Sequence, residues 1–221
     1  QSYVFKNFLK DDDIEIEAKD GAVTLTGDVS EESHKSLAAE TVASLPDVKS
    51  VDNKLEVKGE EHAEMSDAWL MAKVKTTLLF HRSVSGIKTE VDVKDGIVTL
   101  RGDADNQSQK DLATEYAMDV EGVKDVKNEM TVTKATQETK KETKDARSVG
   151  DKIDDASITA LVKMTLLYHR STSGLQTKVE TKNGVVTLSG KAKNAAEKDL
   201  ASKLAKDVNG VEDVNNLMTI E

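Results

Sequence analysis

Apolar residues recur along this chain with two alternating periods. In the C-terminal third, Ile158, Val162, Thr165, Leu166 and His169 fall on one face of a helix. Two strand-like runs, residues 178–181 and 185–188, then flank Asn183-Gly184. Such a pair predicts a tight hairpin, because both central residues of that turn need φ > 0. Asn194 with Glu197 reads as a helix start, and Leu200, Ala201, Leu204, Ala205 and Val208 form its apolar face. Gly210 stops that helix, and residues 214–220 are predicted as a third strand. The order is helix–strand–strand–helix–strand.

The same pattern occurs three times. Residues 67–132 align without a gap to residues 155–220, and 37 of the 66 pairs are identical. A further copy lies upstream, where Asp20-Gly21-Ala22-Val23-Thr24-Leu25-Thr26-Gly27 matches Asp95-Gly96-Ile97-Val98-Thr99-Leu100-Arg101-Gly102. Only residues 2–10 remain for its first helix. The expectation is an α+β chain of three tandem αββαβ modules, each with two helices on one face of a three-stranded mixed sheet. The modules are placed at residues 1–58, 65–134 and 151–221. A short acidic connection spans residues 59–65, and a polar, partly helical linker spans residues 135–150. A module of this size has a small core, so contacts between modules can matter to stability.

The order αββαβ, the strand motif at residues 95–102, and Gly122-Val123-Lys124-Asp125-Val126-Lys127-Asn128 resemble the BON-domain family. Three copies cover nearly the whole chain. The resemblance implies a periplasmic or outer-membrane-associated protein of a Gram-negative bacterium. It further implies non-enzymatic roles: phospholipid binding, envelope maintenance under osmotic stress and chaperone-like contacts with envelope proteins. The shortened first helix departs from the family pattern in the first module.

Composition narrows the chemistry. The net charge of -10 argues against nucleic acid, which selects a basic footprint. With no cysteine, disulfides and thiol catalysis are excluded. No stretch approaches the roughly 20 apolar residues of a membrane span. The chain begins at Gln1, and a signal peptide is taken to have been removed. No histidine pair has metal-site spacing, and Asp11-Asp12-Asp13 lacks the spaced ligands of a calcium loop. No nucleophile–base pair, metal site or cofactor site is expected, and the chain is read as a non-enzyme.

Two features remain as candidate sites. The first is His81-Arg82-Ser83, repeated as His169-Arg170-Ser171, at the end of the first helix. One reading has these cations stabilise a helix C-terminus, where partial negative charge collects. Another has them bind an anionic headgroup, with arginine as the bidentate donor. The second feature is a surplus apolar stripe on the first helix: Leu161, Met164 and Tyr168, with Trp69, Lys73, Thr76 and Phe80 on the equivalent helix upstream. Together with the core face it spans about 200°, wider than one packing face requires. Loops or the second helix could cover it, modules or subunits could meet on it, or it could insert at a lipid surface beside Lys73, Lys75 and Arg82.

Charge bears on the lipid reading. Residues 1–60 carry a net -7, residues 61–134 a net -4, residues 135–150 a net +1 and residues 151–221 none. An anionic membrane would repel the first module, leaving the second or third to dock by its first helix. The leading expectation is an envelope protein that docks on anionic phospholipid or on envelope partners. The alternative is a holdase-like periplasmic chaperone that uses the same stripe on unfolded clients. The sequence leaves the oligomeric state open.

Overall fold

A computed structural model of the chain describes residues 2–58, 66–84, 88–133, 153–172 and 176–220. Both expected linkers lie outside the described residues. Module 1 runs α1 (Tyr3–Asn7), β1 (Asp13–Lys19), β2 (Ala22–Val29), α2 (Glu32–Ala43) and β3 (Ser50–Val57). Module 2 runs α3 (Asp67–Phe80), β4 (Lys88–Lys94), β5 (Ile97–Ala104), α4 (Gln107–Met118), β6 (Asp125–Asn128) and β7 (Thr131–Val132). Module 3 runs α5 (Asp155–Tyr168), β8 (Thr177–Lys182), β9 (Val185–Ala192), α6 (Ala195–Asp207), β10 (Asp213–Asn216) and β11 (Thr219–Ile220).

Each sheet is mixed, as expected. Its central strand pairs antiparallel with the strand before it and parallel with the strand after the second helix. Alternation along the central strands buries Val23 and Leu25, Val98 and Leu100, and Val186 and Leu188 beneath the helices. The hairpin turns are left-handed at both central residues, with φ of 54° and 87° at Asp20-Gly21 and 51° and 76° at Asn183-Gly184. In modules 2 and 3 the first helix holds its own turn. Asp67 accepts from the amides of Asp95 and Gly96, and Asp155 accepts from those of Asn183 and Gly184.

The third strand differs from expectation. Residues 214–220 do not form one strand, because β10 and β11 are separated at Leu217-Met218. Asn216 stands at the break. Its Oδ1 accepts from the amide of Met218, while its Nδ2 donates to Lys198 O and Ser202 Oγ on α6. Asn128 makes the same set of bonds in module 2. The kink buries Met218 and Met130 under the second helix.

Among the described residues the buried apolar side chains form two clusters, not three. One belongs to module 2, and the other runs through modules 1 and 3 together. The short α1 explains the fusion. In modules 2 and 3 the first helix covers the edge strand, leaving Val91 2% and Val179 4% exposed. The equivalent Ile16 of module 1 is 49% exposed. Module 1 instead packs α2 along α5 of module 3, which fuses the two cores.

Candidate interaction site between the modules

The first helices of modules 2 and 3 are capped alike. Ser66 accepts from the amide of Trp69, and Asp154 accepts from that of Ser157. One apolar face of each helix then meets its own sheet, and the second stripe faces the other modules. Leu161, Met164 and Tyr168 are buried, as are Phe80, Lys73 and Thr76. Phe80 leaves module 2 altogether and enters the core of modules 1 and 3, edge-on to Phe8 at 5.4 Å between ring centroids. The Lys73 ammonium lies 3.7 Å from the centre of the Trp69 ring and 5.0 Å from that of Tyr168. Burial pushes the Tyr168 hydroxyl well above its ordinary value, and the charges of Glu32 and Glu31 add to this.

At the ends of α3 and α5 the backbone turns extended and crosses into the opposite module. His81 pairs antiparallel with Val208, and His169 with Val120. The backbone contacts and one guanidinium bond each have a counterpart 88 residues away. The amide of Arg82 donates to Asp207 O at 2.8 Å, and that of Arg170 to Asp119 O at 2.7 Å. The amide of Asn209 donates to Phe80 O, and that of Glu121 to Tyr168 O, both at 3.1 Å. Arg82 Nη2 donates to Val211 O at 2.6 Å, and Arg170 Nη2 to Val123 O at 2.7 Å. Arg82 Nη2 also reaches Lys206 O and Val208 O, carbonyls left open at the end of α6. Modules 2 and 3 are thus joined by a reciprocal clasp with two-fold pseudosymmetry.

The two histidines differ in detail. His81 is 1% exposed and stacks on Tyr116, with centroids 4.1 Å apart and rings 7° from parallel. Its Nδ1 is 3.3 Å from Asp207 Oδ2 but off line for a hydrogen bond, so that contact is electrostatic. Burial alone would raise the Asp207 carboxyl. Its contacts with His81, Ser83 and Tyr116 prevail and hold it below the usual carboxylate range. Tyr116 is replaced by Leu204 in module 3, so His169 lacks the counterpart of that stacking ring. His169 Nδ1 accepts from the amide of Ser171 and Nε2 lies 3.1 Å from Asp119 Oδ2, which assigns the proton to Nε2 of a neutral ring. Burial lowers its pKa, against the pull of Asp119.

A second junction ties module 1 to module 3. The amide of Tyr3 donates to Asp154 Oδ2 at 2.7 Å, and the amide of Val4 to Ser157 Oγ at 3.1 Å. Asp154 therefore caps α1 and α5 together. Its desolvation is outweighed by these donors, which hold the carboxyl below its ordinary range. Farther along α5, a groove of about 300 Å³ opens between α2, α5 and β8. Met164, Leu166, Leu167 and Val179 line it, and the Glu40–Lys163 ion pair, at 2.8 Å, stands at its side. Among the described residues no cluster of three or more potential metal ligands occurs, and no helix is long and apolar enough to cross a membrane.

The model of the BON domain matches residues 2–59, 66–134 and 154–221. The chain belongs to the BON-domain family. Over 152 residues it is 34% identical to osmotically-inducible protein Y of Escherichia coli K12, covering 69% of this chain and 71% of that one. Over 119 residues it is 33% identical to a 21 kDa hemolysin of Actinobacillus pleuropneumoniae, a match spanning 54% of this chain and 55% of the relative. CdsD, a structural protein of the type III secretion system of Chlamydia trachomatis, aligns over 99% of this chain and 89% of its own. That alignment has 17% identity and a TM-score of 0.27 and carries no argument.

Within these BON modules, the stripe residues singled out from sequence are spent on neighbouring modules. Phe80, Leu161 and Tyr168 are buried, Met164 lines only the groove between α2, α5 and β8, and His81 and His169 are sealed in the clasp. Trp69 is half-buried over Lys73. Arg82 and Arg170 are exposed along their length but hold carbonyls of the opposite BON module, the helix-end chemistry moved between modules. The receiving residues Asp119, Val120, Val123 and their equivalents Asp207, Val208, Val211 went unrecognised. Their signal was present, since Asp-Val-x-Gly-Val recurs in modules 2 and 3 and becomes Ser44-Leu45-Pro46-Asp47-Val48 in module 1. Leu79 and Leu167, identical between copies and 47% and 52% exposed, also escaped notice.

Proposed function

We propose that this protein is a non-catalytic periplasmic envelope protein of the osmotic-stress type, associated with the outer membrane and docking on phospholipid or envelope partners through the outer sides of α3 and α5. Likeness to an osmotically inducible relative supports the setting. The observation that carries the docking face is the matched exposure of Leu79 and Leu167. Neither core uses these side chains, yet the same residue stands at the same helical position in both modules. Exposed Lys75 lies one turn before Leu79, so α3 offers an apolar residue beside a cation, the arrangement that suits an anionic interface. The net -7 of residues 1–60 keeps module 1 away from such a surface.

Co-sedimentation with vesicles of anionic and of neutral phospholipid, at low and high salt, tests this. Salt-sensitive binding to anionic vesicles should fall several-fold in Leu79→Ser/Leu167→Ser, while the fold is unchanged by circular dichroism. Binding that survives this double substitution would refute the assigned face. The groove beside Leu167 favours a second reading, a holdase that takes an apolar client side chain between Met164, Leu166 and Val179. Suppressed aggregation of a model client without vesicle binding would select it.

A further inference from the structure

The reciprocity of the clasp has a consequence for assembly. Module 2 and module 3 each carry both halves. The inserting half is Phe80-His81-Arg82 or Tyr168-His169-Arg170, and the receiving half is Asp119-Val120-Glu121-x-Val123 or Asp207-Val208-Asn209-x-Val211. A surface that presents both halves is self-complementary, the condition for an isologous pair. Every bond named above is made by residues at the helix ends. The partners named in these bonds all lie within the two modules themselves. The partner module can therefore come from the same chain or from another chain with identical contacts.

We propose that the clasp also closes between two copies of this chain, module 2 of one with module 3 of the other, giving a symmetric exchanged dimer. Module 1 is excluded from the exchange. After its first helix it has Phe8-Leu9 in place of His-Arg. At the position of Glu121 and Asn209 it has Pro46, which lacks the amide that bonds the inserted carbonyl. Because the contacts are the same, the balance between closed monomer and exchanged dimer is set by chain concentration against the effective concentration of the tethered module, on the order of millimolar. An exchanged dimer carries two copies of the Leu79 and Leu167 surfaces.

The chain has no cysteine, so engineered pairs report the exchange cleanly. Ser83 Oγ and Asp207 Oδ1 are 2.5 Å apart across the clasp. One chain carrying Ser83→Cys and another carrying Asp207→Cys are mixed in urea, refolded together at about 1 mM or about 1 μM, and oxidised. At the higher concentration, disulfide-linked pairs of unlike chains should rise at least tenfold, above the like-chain background. Light scattering of the cysteine-free chain, refolded in the same way, should show a dimer. Asn209→Pro, which copies module 1, removes the same bond from the internal and the exchanged clasp and should lower the internal and the unlike-chain disulfide together. The single-chain Ser83→Cys/Asp207→Cys variant should close internally, which shows that the clasp survives substitution. Internal closure with no unlike-chain disulfide at either concentration overturns the proposal. So do unlike-chain disulfides that persist in Asn209→Pro while the internal disulfide is lost.

Discussion

Arg82 and Arg170 make the same bond in opposite directions. Each guanidinium leaves its own module and ends on a carbonyl near the close of the other module's second helix, Val211 O for Arg82 and Val123 O for Arg170. Charge-assisted bonds to carbonyls are worth about 1.5–3 kcal/mol when intact. Because part of each side chain stays in water, Arg82→Ala should cost about 1–2 kcal/mol in urea unfolding. Arg82→Lys should recover little of it, since a single ammonium cannot serve Lys206 O, Val208 O and Val211 O from one planar group. The cost of Arg82→Ala/Arg170→Ala should differ measurably from the sum of the two, because both act on one joint. Strict additivity would mean the two halves of the clasp are independent.

His169 gives the joint a pH dependence with a defined sign. Burial holds its folded-state pKa below the ordinary value near 6.5, despite Asp119, and His81 and Arg170 push the same way. Between those two values the unfolded chain binds the proton and the folded chain does not. The contribution of His169 is therefore complete above pH 6.5 and is lost as pH falls through the folded value. Urea midpoints should drop between pH 7.5 and pH 5.5. His169→Gln can still accept from Ser171 and donate to Asp119, so it should shrink that drop while changing stability at pH 7.5 by less than about 1 kcal/mol. An unchanged pH profile would remove His169 from the account.

The architecture was legible because it rests on local rules. The Asp-Gly and Asn-Gly turns, the helix start at Asn194 and the alternation at Val186 and Leu188 each depend on near neighbours in sequence. The surplus stripe on α3 and α5 was legible too, but its target was not. Periodicity shows that Leu161 and Tyr168 turn from their own core, and it cannot show that α2 of module 1 lies there. For His-Arg-Ser the sequence left a helix end and an anionic headgroup as alternatives, and in the structure Arg82 and Arg170 reach carbonyls of the opposite module. Which helix it served depended on a contact 129 residues away, between Arg82 and Val211.

Asn216 and Asn128 carry a test of the module fold itself. Each side chain joins the broken third strand to the second helix through two donated bonds and one accepted bond. Asn53 keeps two of these, to Lys35 O and from the amide of Leu55, in module 1. Alanine at 216 leaves the amide of Met218 without its acceptor and takes one of the donors from Lys198 O, at a cost of about 1–3 kcal/mol. Hydrogen exchange should accelerate at Met218 and along α6 while α4 is spared. Equal acceleration in module 2 would mean that modules 2 and 3 unfold as one unit.

Ser157 stands where module 2 has Trp69, and the difference follows from what each helix meets. The amide of Val4 ends on Ser157 Oγ, and Ser157 in turn donates to Asp154 Oδ2, the acceptor for Tyr3. A fully buried position holding two helix starts together has no room for an indole. Ser157→Trp should therefore expel α1, free residues 3–9 to protease and cost about 2–4 kcal/mol. Trp69→Ser leaves only a half-buried ring and its Lys73 contact unmade, and should cost less than half as much. Limited proteolysis read by mass spectrometry separates the two. Cleavage near Phe5 and Phe8 is expected only in Ser157→Trp, and its absence there would show that module 1 stays docked without Asp154 and Ser157.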